Sequence, residues 1–211
     1  MTRIILVRHG ESEANIQGVL AGHHDVSLTA LGVDQAEQTA AHLASWQINA
    51  VYSSDLMRAM QTAKPHAERR GIPVIPEPRF REIFCGAWEG LSYAYLTTAE
   101  RERFVGQFQE NFGLFKMPDG EGVEEGGYRM YHALIEIAKR HEGQTVLIAS
   151  HGAVLRALWC IMRGVAPHEW AKWPFPSNAS YSIAEFDGKS FAVGDYSCDS
   201  HLSAVTTVNF C

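Results

Sequence analysis

The chain has 211 residues, 46% hydrophobic and 20% charged, the length of about one domain with room for an insertion and enough to bury about 70% of its unfolded surface without a staple. Eighteen Lys and Arg against 24 Asp and Glu leave a net charge of -6, a poor footprint for reading a nucleic-acid backbone. The cysteines at 85, 160, 198 and 211 have no close ligand spacing, and the early apolar run Ile4 to Val7 is far short of the ~18 residues of a membrane span, so no zinc, disulfide framework, membrane or secretory signal is expected and a cytoplasmic location is.

Arg3 to Val7, aliphatic and β-branched, predicts a strand, and Thr29 to Ser45 carries Val33, Ala36, Ala40, Leu43 and Ala44 at helical spacing. Ala50 to Tyr52 predicts a second strand, Leu56 to Arg70 a helix stopped by Gly71, and Pro73 to Ile75 a brief extended piece. Between about 86 and 128 eight glycines interleave with aromatics, which reads as an excursion capping a site. Thr145 to Ala149 is another wholly apolar run, followed by a helix from about Val154 to Met162 that ends at Gly164. Such runs suit buried strands of a parallel sheet. Tyr181 to Phe186 and Ser190 to Tyr196 flank Asp187-Gly188, a hairpin signal. The alternation predicts one α/β domain over 1–211. Its expected form is a three-layer α/β/α sandwich with a mostly parallel sheet, an antiparallel hairpin near the C-terminus and an inserted cap at about 86–128.

Two apolar strands end alike, in Val7-Arg8-His9-Gly10 and Ala149-Ser150-His151-Gly152. Ligands in open α/β sheets sit beyond the carboxyl ends of strands, so both imidazoles face one crevice if these strands are neighbours. A single strand-end His is usually just packed, with the Gly permitting a turn; the repetition argues for chemistry. Arg58, in the first turn of a helix after a strand, reads alone as a solvated residue. Taken with Arg8 it becomes half of a guanidinium clamp suited to phosphate.

The segments LVRHGESEAN, SSDLMRAMQTA, REIFCGAWEG and LIASHGAVLRAL resemble, in order and spacing, four landmarks of the histidine phosphatase superfamily, in its phosphoglycerate-mutase-like branch. The resemblance runs from residue 3 to Ser200-His201-Leu202. It implies a metal-independent phosphomonoesterase that uses a phosphohistidine intermediate and no cofactor. His9 is the implied nucleophile, Arg8, Arg58 and His151 the phosphate pocket, Asn15 and Gly152 further phosphate contacts, and Glu82 the general acid. The chemistry agrees, since a neutral imidazole can attack phosphorus in line while fixed positive groups neutralise the equatorial oxygens. One carboxyl group can protonate the departing alkoxide and then take a proton from water. Without the resemblance, Glu82 reads as a surface ion pair with Arg79 or Arg81.

Two departures stand out. Gly120-Glu121-Gly122 replaces the family's frequent Gly-Glu-Ser, removing a capping or ligand-facing hydroxyl, and Ala21-Gly22-His23-His24-Asp25 replaces a frequent Gln-Gly pair before the Asp. His23, His24 and Asp25 read as loop residues, not metal ligands. Phe104, Phe108, Phe112 and Phe115 read first as cap core and second as an apolar wall for the leaving group. Asp119, Glu121, Glu124 and Glu125 outnumber the cap cations Arg101, Arg103 and Lys116, which disfavours bisphosphoglycerate as cofactor. A phosphatase is therefore expected over a mutase. Both are expected over a catalytically silent phospho-ligand-binding module, because Arg8, His9, Arg58, Glu82 and His151 are all present. The expected partner is a small phosphomonoester, with neither nucleic acid nor membrane, and a homodimer stays open.

Overall fold

The four aliphatic residues Ile4 to Val7 form the middle of strand β1 (Thr2–Arg8), and all four are buried. A strand buried on both faces needs cover on both sides, and alternation supplies it. Ile4 and Leu6 join one apolar cluster, Ile5 and Val7 the other. The computed structural model describes residues 1–100, 102 and 104–207; Arg101, Arg103 and Cys211, weighed above, lie outside the described residues.

β1 pairs in parallel with β4 (Thr145–Ser150) and antiparallel with β5 (Tyr181–Phe186). β2 (Ala50–Ser53) lies parallel between β4 and β3 (Val74–Pro76), and β6 (Phe191–Val193) pairs antiparallel with β5, giving the order β3-β2-β4-β1-β5-β6. The β5–β6 hairpin turns at Asp187-Gly188, where Asp187 Oδ1 accepts from Lys189 N at 2.7 Å and Ser190 N at 2.8 Å and Gly188 has φ 102°.

After the short α1 (Glu13–Gln17), helix α2 (Ala30–His42) begins at Thr29, whose hydroxyl accepts from Gly32 N at 3.0 Å. It packs beside α3 (Met57–Glu68) on the face holding Ile5, Val7, Val51, Leu147 and Ala149. The next helix, α4 (Tyr93–Ala99), lies in the segment after β3. Helices α5 (Val123–Arg140) and α6 (Gly152–Met162) pack together over the other face, on Ile4, Leu6, Tyr52, Val146 and Ile148. The fold is thus a three-layer α/β/α sandwich. Among the described residues no helix is long and apolar enough to cross a membrane.

Between Gly86 and Gly122 the chain runs through short turns, α4 and a π-helical turn over Phe104–Gln109. Phe104, Phe108, Phe112 and Phe115 are all buried there. From Val123 onward it is helical, so the expected cap span of about 86–128 takes in the start of α5. The misleading residues are Gly126 and Gly127. A Cβ on Gly127 would lie 2.8 Å from Ile161 Cδ1 and 2.9 Å from Ala157 Cβ, and one on Gly126 would overlap Ile83 Cδ1. These glycines allow close packing and do not break the helix.

Candidate active site

β1 and β4 are neighbours in register, with Arg8 opposite Ser150, so the residues just past their ends come together. The rings of His9 and His151 have centroids 5.2 Å apart. His9 N donates to Ser150 O at 2.9 Å, and its carbonyl accepts from Asn178 Nδ2 at 3.0 Å. His9 Nδ1 lies 2.7 Å from Gly10 O. A carbonyl only accepts, so Nδ1 carries the proton and Nε2 keeps its lone pair. Burial, then the charges of Arg58 and Arg8, hold the His9 pKa well below its usual value, and the ring is neutral at pH 7. The glycine after it serves a close approach, since a Cβ on Gly10 would overlap Gly32 O in the first turn of α2.

Arg8 and Arg58 are buried, 5% and 1% exposed, and neither forms an ion pair among the described residues. Arg8 Nη1 donates to Pro176 O, while its Nε has no partner. Gly152 makes room for this guanidinium, because a Cβ there would sit 3.2 Å from Arg8 Nε. Burial pushes the Arg8 pKa down to about 10, still charged at pH 7. Arg58, in the first turn of α3, donates to His24 O at 3.0 Å and Gly22 O at 2.7 Å. Asp25 Oδ1 accepts from Met57 N at 2.7 Å. The His23-His24-Asp25 run therefore holds Arg58 and the start of α3, and His23 Nε2 donates to Glu82 O at 2.8 Å. Among the described residues no three His, Cys, Asp or Glu form a metal-ligand group.

His151 is fully buried behind His9, with Nε2 2.8 Å from Ser54 Oγ and no partner on Nδ1 among the described residues. Burial, then Arg58, keeps its pKa well below the usual value, so the fixed positive charge rests on the two guanidinium groups. Glu82 caps α6: Oε1 accepts from Val154 N at 2.9 Å and from Ile83 N at 2.9 Å, and Oε2 from Ala153 N at 3.0 Å. The surface ion pair does not form, because Arg79 pairs with Glu77 and Glu136, and Arg81 with Asp55. Asn15 Oδ1 accepts from Ser12 N, Ser12 Oγ and Asn178 Nδ2, and its NH2 has no hydrogen bond among the described residues.

Arg8, His9, Asn15, Arg58, Glu82 and Gly152 line one pocket, whose remaining wall includes Leu20, Tyr93, Phe108, Met117 and Phe175. Phe108 thus belongs both to the cap core and to this wall. Lys116 is exposed and does not line it. Ser54 and Thr62, which accepts from Gly10 N at 3.0 Å, lie inside the second landmark segment but carry no signal of their own. Asn178 and Arg129 lie outside all four segments.

The family model of the histidine phosphatase superfamily (branch 1) matches residues 4–199. Phosphoserine phosphatase 1 of Hydrogenobacter thermophilus is 33% identical over 203 residues, covering 96% of this chain and 95% of that protein. A probable phosphoglycerate mutase GpmB of Yersinia enterocolitica is 36% identical over 168 residues, 80% of this chain and 78% of its own. The solved structure of Bacillus stearothermophilus YhfR superposes with a TM-score of 0.90 at 31% identity, covering 96% of this chain and 100% of that one. The chain belongs to the histidine phosphatase superfamily.

Proposed function

We propose that this phosphatase hydrolyses a small phosphomonoester in two steps, through a phosphohistidine on His9. The protein is a phosphoric monoester hydrolase. One observation carries the stepwise reading: two buried guanidinium groups, with no ion pair among the described residues, line one pocket with a neutral imidazole whose proton sits on Nδ1 and whose lone pair sits on Nε2. Glu82 acts on both from a distance, but buried cations that lack a direct ion-pair partner are costly unless an anion completes them, and a phosphoryl group fits two guanidinium forks. His9 Nε2 attacks phosphorus as the ester P–O bond breaks, and the departing oxygen takes a proton from the Glu82 carboxyl group. Water then gives a proton to the Glu82 carboxylate while its oxygen displaces His9 from phosphorus, releasing phosphate. Arg8 and Arg58 neutralise the equatorial oxygens, with Asn15 as a further donor. Gly152 contributes space for Arg8, and His151 backs His9.

We read the chain as one catalytic unit with 86–122 as its cap. The leaving alcohol meets Leu20, Tyr93, Phe108 and Met117, and the described charged side chains lining the pocket are Arg8, Arg58 and Glu82. A mutase must hold a product that stays doubly anionic, which calls for further cations there, so hydrolysis is the favoured outcome.

Acid quench during turnover should trap an acid-labile phosphoenzyme, and His9→Ala should abolish both it and activity. A chelator should leave the rate unchanged, because the cations are arginines. A phosphoenzyme that persists in His9→Ala, or activity lost to chelator and restored by metal, would overturn the reading.

A further inference from the structure

We propose that Arg129 is a positioning residue for proton donation: it fixes the backbone that carries Glu82, a role that rests on reading Glu82 as the donor. The segment from Arg81 to Cys85 is neither helix nor strand. Its course is set by side chains that grip its main chain. Arg129, from the second turn of α5, donates through Nη1 to Arg79 O at 2.6 Å and Arg81 O at 3.1 Å, and through Nη2 to Glu82 O at 3.2 Å. The same guanidinium is itself oriented by a two-point bond to Glu121, Nε to Oε1 and Nη2 to Oε2, each 2.8 Å. Glu121 Oε2 also accepts from Phe84 N at 3.2 Å, and Glu121 N donates to Phe84 O at 2.9 Å. One arginine and one glutamate, joined to each other, thus hold residues 79 to 84 from end to end.

Nearer the pocket, the Glu82 carboxylate rests on the first amides of α6. Its carbonyl is held by Arg129 and His23, so the side chain and the main chain of Glu82 are anchored to different elements. Gly126 lets α5 come this close, since a Cβ there would overlap Ile83 Cδ1. A planar fork with five donors can serve three carbonyls and a carboxylate together; an ammonium, with three donors at one point, cannot. Arg129 does not line the pocket; its hydrogen bonds reach the site through the Glu82 carbonyl, and its charge also bears on buried His151.

Single-turnover phosphorylation of His9 tests this with two substrates, an alkyl phosphate and an aryl phosphate whose phenolate leaves without protonation. Glu82→Gln should slow the alkyl ester by on the order of 10² or more and the aryl ester far less. Arg129→Gln should show the same bias, slowing the alkyl ester by roughly 10- to 100-fold and the aryl ester by under about 3-fold, as a small displacement of a catalytic group does. Arg129→Lys should fall between, and adding Arg129→Gln to Glu82→Gln should cost under about 3-fold more on either ester. Equal slowing of both esters by Arg129→Lys, with thermal melting showing a folded protein, would overturn the positioning role while leaving Glu82 in place. If Arg129→Gln does not fold, Arg129→Lys decides. An unbiased loss in Glu82→Gln would instead overturn the donor reading, and the role of Arg129 with it.

Discussion

His66 shares the burial of His9 and His151 but none of their neighbours. It sits in α3, fully buried, with no hydrogen-bond partner on either ring nitrogen among the described residues. Burial, then Arg70 and Arg69, pushes its pKa down to about 3. Because the folded value lies below the unfolded one, about 6.5, the unfolded chain binds the proton first as pH falls. The stability tied to a neutral His66 is therefore whole above pH ~6.5 and is drained as pH drops toward ~3, with about 2 kcal/mol gone at pH 5. His66→Leu should remove this dependence. Urea unfolding at pH 8 and pH 5 should give a variant whose advantage is larger at pH 5 by about that amount. Parallel losses in the two proteins would show that His66 is not buried neutral.

At the level of elements, the contact between α5 and α6 sets how near the capping amides of α6 come to the segment that α5 holds. Gly127 is the contact point. An exposed helical Gly→Ala normally gains about 1 kcal/mol, but here the added methyl would press on Ala157 and Ile161. Overpacking of this kind costs about 1–3 kcal/mol, so Gly127→Ala should lower stability by up to roughly 2 kcal/mol net, read as a lower urea midpoint at unchanged slope. A raised midpoint would mean that the helices part without cost. The same glycine marks where reading the chain failed. Strands β1 and β4 were legible because a strand buried on both faces must be a continuous apolar run, and β5–β6 because Asp187-Gly188 suits a tight turn. Helix α5 was not, because a glycine required by a neighbour looks the same in sequence as one that ends a helix. The site and its supports divide likewise. Arg8, His9, Arg58, Glu82 and His151 stand in segments of recognisable chemistry, whereas Asn178 and Arg129 bind backbone carbonyls, and any residue type presents a carbonyl. Their partners exist only once the chain is folded.

Over the whole molecule, the first strand lies in the interior of the sheet, and both its neighbours come from the far end of the chain, β4 from Thr145 and β5 from Tyr181. Such pairing demands closure of very long loops. It also imposes a timetable on synthesis. At about 5–20 residues per second, Ile4 to Val7 leave the ribosome on the order of ten seconds before Thr145 is even made. During that interval an apolar strand with two unpaired edges is open to chaperones, or to another nascent copy of itself. Ribosome-arrested chains ending at Gly143 should leave β1 open to limited proteolysis, whereas full-length chains extended by a linker that clears the exit tunnel should protect it. Protection already present at Gly143 would mean that β1 finds a temporary cover among the first helices. Otherwise β1 spends that interval as a client, and His9, the proposed nucleophile, waits for β4 and β5 to be made before it has a site to belong to.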